Sequence, residues 1–173
     1  NCQKRPQRLF SEEELTIDEC ADYLSQAVDI LLRRNPDVQV VLTVSPIRYA
    51  KYGYHGSQLS KATLLLAADR LVKRYDCCTY FPAYEIVNDE LRDYRFYGED
   101  MLHPSAQAVN YIWERIADTF FSDETKQYLA EWKPIKEALG HKPFNPESEE
   151  HKAFVEHTLR KREDFEKKWN IQL

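Results

Sequence analysis

Two short apolar segments, separated by one helical pattern, constrain the fold of this chain most. The segment VQVVLTV, Val38 to Val44, is a nearly unbroken β-branched run closed by Ser45-Pro46, which is typical of a strand covered on both faces. The segment CCTYF, Cys77 to Phe81, is a second apolar strand pattern that ends at Pro82. Between them, residues 57–75 predict a well-buried helix with the apolar face Leu59, Ala62, Leu65, Leu66, Ala68, Leu71 and Val72. This strand-helix-strand unit predicts parallel strands with a right-handed crossover, and hence the α/β class.

The number of strand patterns limits the size of the sheet. A doubly wound sheet usually has about five or six strands, whereas two patterns are convincing here. Because strands covered on both faces need neighbours, we expect the chain to be the carboxyl-terminal part of a larger parallel sheet, truncated on its N-terminal side. The edge of Val38 to Val44 would then favour self-association. The alternative is a self-contained helical domain around a two-stranded ribbon, although two strands alone make a marginal sheet.

Helical patterns flank this unit on both sides. Ser11 and Glu14 have the spacing of a capping box, and they predict a helix with apolar residues at Ile17, Cys20, Leu24, Val28 and Leu31 until Asn35-Pro36. Residues 82–100 predict a short helical turn and then an aromatic-rich loop. Pro104 is predicted in the first turn of another helix, whose core face is Ala108, Val109, Ile112, Trp113, Ile116, Ala117 and Phe120.

The composition changes at Ser122, where Glu, Lys and Trp become frequent. Two polar helices are predicted at about residues 122–139 and 148–169, with breaks at proline and glycine between them. Each would pack one thin apolar face, using Leu129, Trp132, Phe154 and Phe165. The predicted domains are therefore an α/β part over residues 1–121 and a helical C-terminal appendage over residues 122–173.

Charge, hydropathy and cysteine usage exclude several classes of function. The net charge is −5, and acids and bases are interspersed without a basic stripe, so nucleic acid is not expected as a partner. No signal peptide or membrane-spanning run is visible, which favours a cytoplasmic protein without a membrane partner. The four cysteines, Cys2, Cys20, Cys77 and Cys78, have no metal-ligand spacing and are expected to be reduced thiols. Neither a metal nor a cofactor is implied.

The chemistry of the chain is concentrated in the segment YRFYGEDMLHPSAQAV, which places Asp100 three residues before His103. Because a residue before proline is pushed out of the helical region, His103 is expected to be extended just before a helix begins. An aspartate three positions earlier can accept the proton on Nδ1 of the imidazole, which leaves Nε2 free as a base. The turn following a strand can place such residues at the carboxyl edge of the sheet. The pair therefore predicts two members of a hydrolytic triad.

A structural explanation of the same two residues stays open. The Asp-x-x-His spacing arises often by chance in a chain with five histidines. Asp100 could cap the helix or accept hydrogen bonds from turn amides, and His103 could be an exposed turn residue.

Several segments together resemble the GSCFA domain family, a group of bacterial proteins related to SGNH/GDSL hydrolases. They are TVSPIRY at Thr43 to Tyr49, SQLSKATLLLA at Ser57 to Ala67, the long block from Tyr80 to Ser105, and AVNYIWERI at Ala108 to Ile116. The resemblance covers about residues 12–120. It implies a flavodoxin-like three-layer α/β/α fold and serine hydrolase chemistry, with the final Asp-x-x-His block of SGNH enzymes on Asp100 and His103.

The chain departs from the family pattern at the nucleophile. The Gly-Ser-Cys-Phe-Ala segment that names the family, and whose serine is the expected nucleophile, is absent from this chain. None of Ser45, Ser57, Ser60 and Ser105 lies in the Gly-Asp-Ser or Gly-x-Ser-x-Gly elbow that exposes an attacking hydroxyl. The family also favours histidine where this chain has Tyr49 and asparagine where it has Ser57.

The functional hypothesis is a serine hydrolase of ester or acyl bonds, in which this chain supplies Asp100 and His103 and an upstream serine attacks. Ser45, at the end of the first strand, is a candidate for contact with the substrate or its oxyanion, and Arg48 is a candidate for binding an anionic substrate group. Strand-end hydrogen bonding and a surface salt bridge are the alternative roles of these two residues. The rival hypothesis is a non-catalytic binding or assembly module whose loop YRFYGED contacts a partner.

Overall fold

The computed structural model describes residues 5–173, so the expectation about Cys2 lies outside the described residues. The chain forms two compact units, which divide between Trp113 and Glu114. The sequence boundary after residue 121 rests on composition and stays a prediction.

Helix α1 spans Ile17–Arg34, and its N-cap lies five residues after the predicted cap, Ser11. Thr16 is the N-cap residue: its Oγ1 accepts a hydrogen bond from the backbone N–H of Glu19, and the Glu19 carboxylate accepts one from the N–H of Thr16. The predicted cap, Ser11, is wrong, because Thr16 with Glu19 has the same capping-box spacing and stands directly before the first apolar periodic residue. The helix ends at Arg34, with Asn35 as its C-cap before Pro36, as predicted.

The sheet contains two parallel strands among the described residues. Strand β1 spans Val40–Leu42, β2 spans Cys78–Tyr80, and helix α2, Gly53–Arg74, connects them. Val40 pairs with Cys78 and Leu42 with Tyr80. The parallel strand-helix-strand unit is therefore confirmed, although each strand is shorter than its apolar run.

One hydrophobic core joins α1, α2 and the sheet. Its buried residues are Cys20, Ala21 and Val28 from α1, Ala67 and Leu71 from α2, and Cys78 from β2, with Val40 and Leu42 packed against them. Val41 points away and is 48% exposed, because successive side chains of a strand point to opposite faces. The prediction that this strand is covered on both faces is therefore wrong for the described residues.

The predicted apolar faces of two helices are only partly buried. On α2, Ala67, Ala68 and Leu71 are buried, whereas Leu59 and Leu66 are at least half exposed. On α4, which spans Ala106–Phe120, Ala108 is fully buried but Val109 and Trp113 are exposed. Successive residues of a helix lie about 100° apart around its axis. A helix that packs along a narrow stripe therefore leaves the apolar residues beside that stripe in solvent.

The segment between β2 and α4 is built from short turns. Helix α3, Ala83–Glu85, continues into a π-helical turn at Ile86–Leu91, and a 3-10 turn follows at Tyr94–Phe96. This agrees with the predicted helical turn and aromatic loop. Ser105 precedes α4 and its Oγ accepts a hydrogen bond from the N–H of Ala108. The prediction that Pro104 lies in the first helical turn is wrong, because Pro104 instead forms an extended bridge with Tyr97.

The second unit contains the two predicted polar helices. Helix α5 spans Asp123–Leu139 and α6 spans Glu149–Trp169, and Ser122 and Ser148 cap them. Phe165 is buried, with its ring centroid 5.0 Å from that of Tyr128 and 5.3 Å from that of Trp132. Phe154 lies at the edge of the packed face: it is 39% exposed, lines a cleft with Ile135 and Phe165, and contacts the rings of His141 and His151.

Two further observations concern the described chain as a whole. No helix within residues 5–173 combines the length and the apolar character that crossing a membrane requires. Cys20, Cys77 and Cys78 are free thiols, and burial raises the pKa of Cys20 and, together with the neighbouring Cys77, raises that of Cys78 to about 11. These two thiols are therefore poor nucleophiles at neutral pH.

Candidate functional site

The turn that carries Asp100 and His103 is closed by backbone hydrogen bonds. Tyr97 and Pro104 form an antiparallel bridge, and the N–H of Gly98 donates to the carbonyl of His103 at 2.8 Å. Inside this loop the N–H of Met101 donates to the carbonyl of Gly98 at 2.9 Å. Met101 has a φ of 59°, a conformation that is unfavourable for a residue with a side chain. Such strained residues are enriched at functional sites.

The carboxylate of Asp100 accepts three hydrogen bonds from the two residues before Pro104. Its Oδ1 accepts from the backbone N–H of Leu102 at 2.9 Å and of His103 at 3.0 Å. Its Oδ2 lies 2.5 Å from Nδ1 of His103. The turn thus fixes the carboxylate and the imidazole against each other.

The imidazole of His103 presents its other nitrogen to solvent. The side chain of His103 is 64% exposed, and Nε2 makes no hydrogen bond to any residue between 5 and 173. Because Asp100 engages Nδ1, the tautomer with a proton on Nδ1 is favoured, and Nε2 can accept a proton from an incoming group.

The electrostatics of the turn favour a charged Asp100. The backbone N–H groups of His103 and Leu102, followed by the His103 ring, lower the pKa of Asp100 from 3.8 to about 2. The carboxylate is therefore ionised at all pH values near neutrality, as an acceptor for the histidine proton must be.

Arg48 is joined to the same turn from a distant part of the sequence. Its backbone N–H donates to the carbonyl of Leu102 at 3.0 Å. Its guanidinium carbon lies 4.2 Å from the ring centroid of Tyr97 and 5.2 Å from that of Tyr94, within the range of cation–π contact. The fold thus brings Arg48 together with the turn of Asp100 and His103.

Ser45 is not joined to this group. Its Oγ accepts a hydrogen bond from the N–H of Ile47 at 3.3 Å, the local turn expected of a serine after a strand. Within residues 5–173, no hydrogen bond connects Ser45 with Asp100, His103 or Arg48. The role predicted for Ser45 stays a prediction.

The other serines serve structural roles or lie in solvent. Ser57 is buried, and its Oγ accepts a hydrogen bond from the N–H of Tyr49 at 3.1 Å. Ser105 caps α4, and Ser60 is exposed on α2. In the described part of the chain, no serine hydroxyl is hydrogen-bonded to His103.

Sequence reasoning missed the aromatic and cationic neighbours of Arg48. The run YRFYGED carries the rival hypothesis of a loop that contacts a partner, and its Tyr94 and Tyr97 contact Arg48, which the sequence does not predict. The sequence also gives no reason to single out Arg92. In the structure it has a φ of 47° and lines the same cleft as Tyr94 and Tyr97. The only sequence signal was the clustering of aromatic and basic residues, which does not identify a partner far away in the chain.

A known protein family matches each of the two units. The model of the GSCFA family matches residues 1–116, a range that includes Arg48, Asp100 and His103. The model of the GSCFA domain protein C-terminal domain matches residues 132–172, which cover the end of α5 and all of α6. No curated protein and no solved structure matches the chain.

Proposed function

Because the chain belongs to the GSCFA family, we propose that it supplies the histidine and aspartate of a serine hydrolase of the SGNH type. The expected substrates are small molecules with an ester or acyl bond. In this proposal the parallel strands β1 and β2 are part of a flavodoxin-like three-layer α/β/α sheet that includes further strands.

The proposal rests above all on the geometry of one contact, the 2.5 Å separation of His103 Nδ1 and Asp100 Oδ2 with Nε2 left open to solvent. In the reaction, Nε2 of His103 takes the proton of the attacking hydroxyl as the new bond to the acyl carbon forms. The resulting imidazolium is stabilised by the carboxylate of Asp100, which stays ionised. His103 then returns the proton to the leaving group, and water completes the cycle in the same way.

We place the attacking serine upstream of the 173 residues. Ser57 is buried and Ser105 caps a helix, so neither hydroxyl is available to attack a substrate. This assignment gives the chain alone no nucleophile, and water activation by His103 would be slow. The mechanism uses no metal and no cofactor.

The experiment compares two proteins with p-nitrophenyl acetate as the substrate. The 173-residue chain is expected to be inactive, and a longer form that carries the upstream serine is expected to be active. In the longer form, His103→Ala should abolish turnover without changing the melting temperature, because an exposed turn histidine contributes little packing. His55→Ala is the matched control and should remain active, since His55 is an exposed histidine in the first turn of α2. Activity that persists in His103→Ala would contradict the proposal.

The second candidate is a non-catalytic binding module. The exposure of Tyr94, at 62%, favours it, because a large exposed aromatic residue is typical of a contact surface. The two candidates differ in the longer protein: a binding module would show no turnover at all, and it would lose partner binding on Tyr94→Ala.

A further inference from the structure

A small cleft adjoins the turn of Asp100 and His103. It has a volume of about 160 Å³ and is lined by Arg48, Val87, Asn88, Arg92, Asp93, Tyr94 and Tyr97. Two backbone contacts connect its wall to the turn: Arg48 bonds to Leu102, and Tyr97 forms the bridge with Pro104. These contacts join the wall of the cleft to the backbone on both sides of His103.

Arg48 supplies a fixed positive charge to this cleft. The rings of Tyr97 and Tyr94 hold its guanidinium by cation–π contact, and no carboxylate between residues 5 and 173 forms an ion pair with it. A guanidinium that is held in place without a carboxylate counterion can still pair with an oxyanion.

Arg92 supplies the second positive charge. It ends the π-helical turn with a φ of 47°, and its N–H donates to the carbonyl of Val87 at 3.1 Å. Glycine or asparagine is the usual choice for this conformation, so an arginine adopts it at a conformational cost. Its side chain forms no ion pair with any described residue from 5 to 173.

The negative charge in the cleft is the carboxylate of Asp93, which already interacts with Arg95. Oδ1 of Asp93 accepts a hydrogen bond from the backbone N–H of Arg95 at 2.9 Å, and Oδ2 lies 4.0 Å from Nε of Arg95. Asn88 is neutral, and its Nδ2 donates to the carbonyl of Tyr84 at 2.7 Å. Two arginines against one aspartate that already has a cationic neighbour leave a net positive cleft.

We infer that this cleft binds the anionic group, a carboxylate or a phosphate, of the substrate whose ester or acyl bond lies at His103. Arg48 and Arg92 would pair with the oxyanion, and Tyr94 and Tyr97 would form its wall. The inference deepens the proposed function and rests on it for the link to turnover. It goes further by naming the class of substrate as an anionic ester or acyl compound.

The test is a binding measurement that needs no turnover. The chain, labelled with ¹⁵N, is titrated with succinate in one series and inorganic phosphate in another at constant ionic strength, and the Nε–Hε signals of the arginines are followed by NMR. Saturable shifts at Arg48 and Arg92 are expected with at least one anion, and the series that binds more tightly identifies carboxylate or phosphate as the preferred group.

Three substitutions make the result specific. Arg48→Gln and Arg92→Gln should each weaken binding by about tenfold or more, the loss expected for a charge-assisted hydrogen bond. Asp93→Asn should strengthen binding, because it removes a repulsive charge and keeps the acceptor for the Arg95 amide. Arg33→Gln is the matched control: it removes one exposed charge at the end of α1 and should change nothing.

Two outcomes would overturn the inference. One is that neither Arg48 nor Arg92 shows a saturable shift with either anion. The other is an equal loss of affinity in Arg33→Gln and Arg92→Gln, which would mean nonspecific attraction to net charge. Since Arg92 and Asp93 lie in an exposed segment, their variants test the inference even if Arg48→Gln unfolds. If only the hydrolase proposal is wrong, the anions will still shift the signals of Arg48 and Arg92. Only the turnover expected of the longer protein will then be missing.

Discussion

The backbone N–H of Arg48 donates a 3.0 Å hydrogen bond to the carbonyl of Leu102, the residue directly before His103. This bond ties the segment that follows β1 to the turn of the candidate catalytic pair across the whole of α2 and β2. The position of the turn therefore depends on the chain around Arg48, whereas the geometry within the turn depends on Asp100.

Asp100→Asn should reduce turnover of the longer, serine-containing protein by about ten-thousand-fold, as expected from the triad template. Asparagine keeps an oxygen for the two backbone N–H groups but can no longer stabilise the imidazolium. Glu99→Gln is the control, because it removes a neighbouring acid that makes no hydrogen bond to His103 in the described chain. If the kinetic constants of both variants fall equally, the turn is structural.

The carboxylate of Asp100 should titrate with a pKa of about 2, measurable from the pH dependence of its ¹³Cγ chemical shift. A lowered pKa in the folded state means that the ionised form stabilises the fold. This contribution is present above the ordinary value of 3.8 and is lost as the pH falls toward 2. The difference in unfolding free energy between the wild type and Asp100→Asn should therefore narrow over that range. A midpoint near 4 would contradict the turn geometry.

Ser57→Ala should lower the free energy of unfolding by about 1–2 kcal/mol, because the N–H of Tyr49 loses its acceptor in a partly buried place. Ser60→Ala lies on the same helix and is exposed, so it should change the free energy by less than about 0.5 kcal/mol. Chemical denaturation of both variants measures the difference, and the change in helix propensity cancels between them. Equal effects would mean that Ser57 does not position the loop before α2.

The chain should self-associate through the outer edge of β1. Within residues 5–173, β1 pairs with β2 alone, and Val41 is exposed beside that edge. An unpaired edge with an exposed apolar residue recruits other strands, and a lysine there blocks such pairing. The sedimentation coefficient of the wild type should rise with concentration, and Val41→Lys should abolish the rise. Gln39→Lys adds the same charge at an exposed position outside the strand and should behave as the wild type. A concentration-independent monomer would contradict the prediction.

How much of the fold could be predicted from the sequence depends on how far apart the interacting residues are along the chain. The parallel pairing of β1 with β2 was predictable, because apolar runs and the intervening helical period are local signals. The exposure of Val41 and Trp113 was not, since it depends on which faces find a partner in space. The cap at Thr16 was missed because two capping-box spacings compete within a few residues, and only the start of the apolar period distinguishes them.

The candidate site shows the same division. The contact of Asp100 with His103 was predictable because the two residues are three positions apart and Pro104 restricts the backbone. The contact of Arg48 with Tyr97 was not, because its partners come together only when the crossover has folded. The strained conformations of Arg92 and Met101 also give no signal in the pattern of residue types.

The three hydrogen bonds to Asp100 come from Leu102 and His103, and the bridge between Tyr97 and Pro104 closes around them. A loop of this size closes in about 10–100 ns, far faster than strands that lie on either side of a long helix can meet. The pairing of aspartate and histidine is thus encoded in one short stretch of chain and can form early in folding.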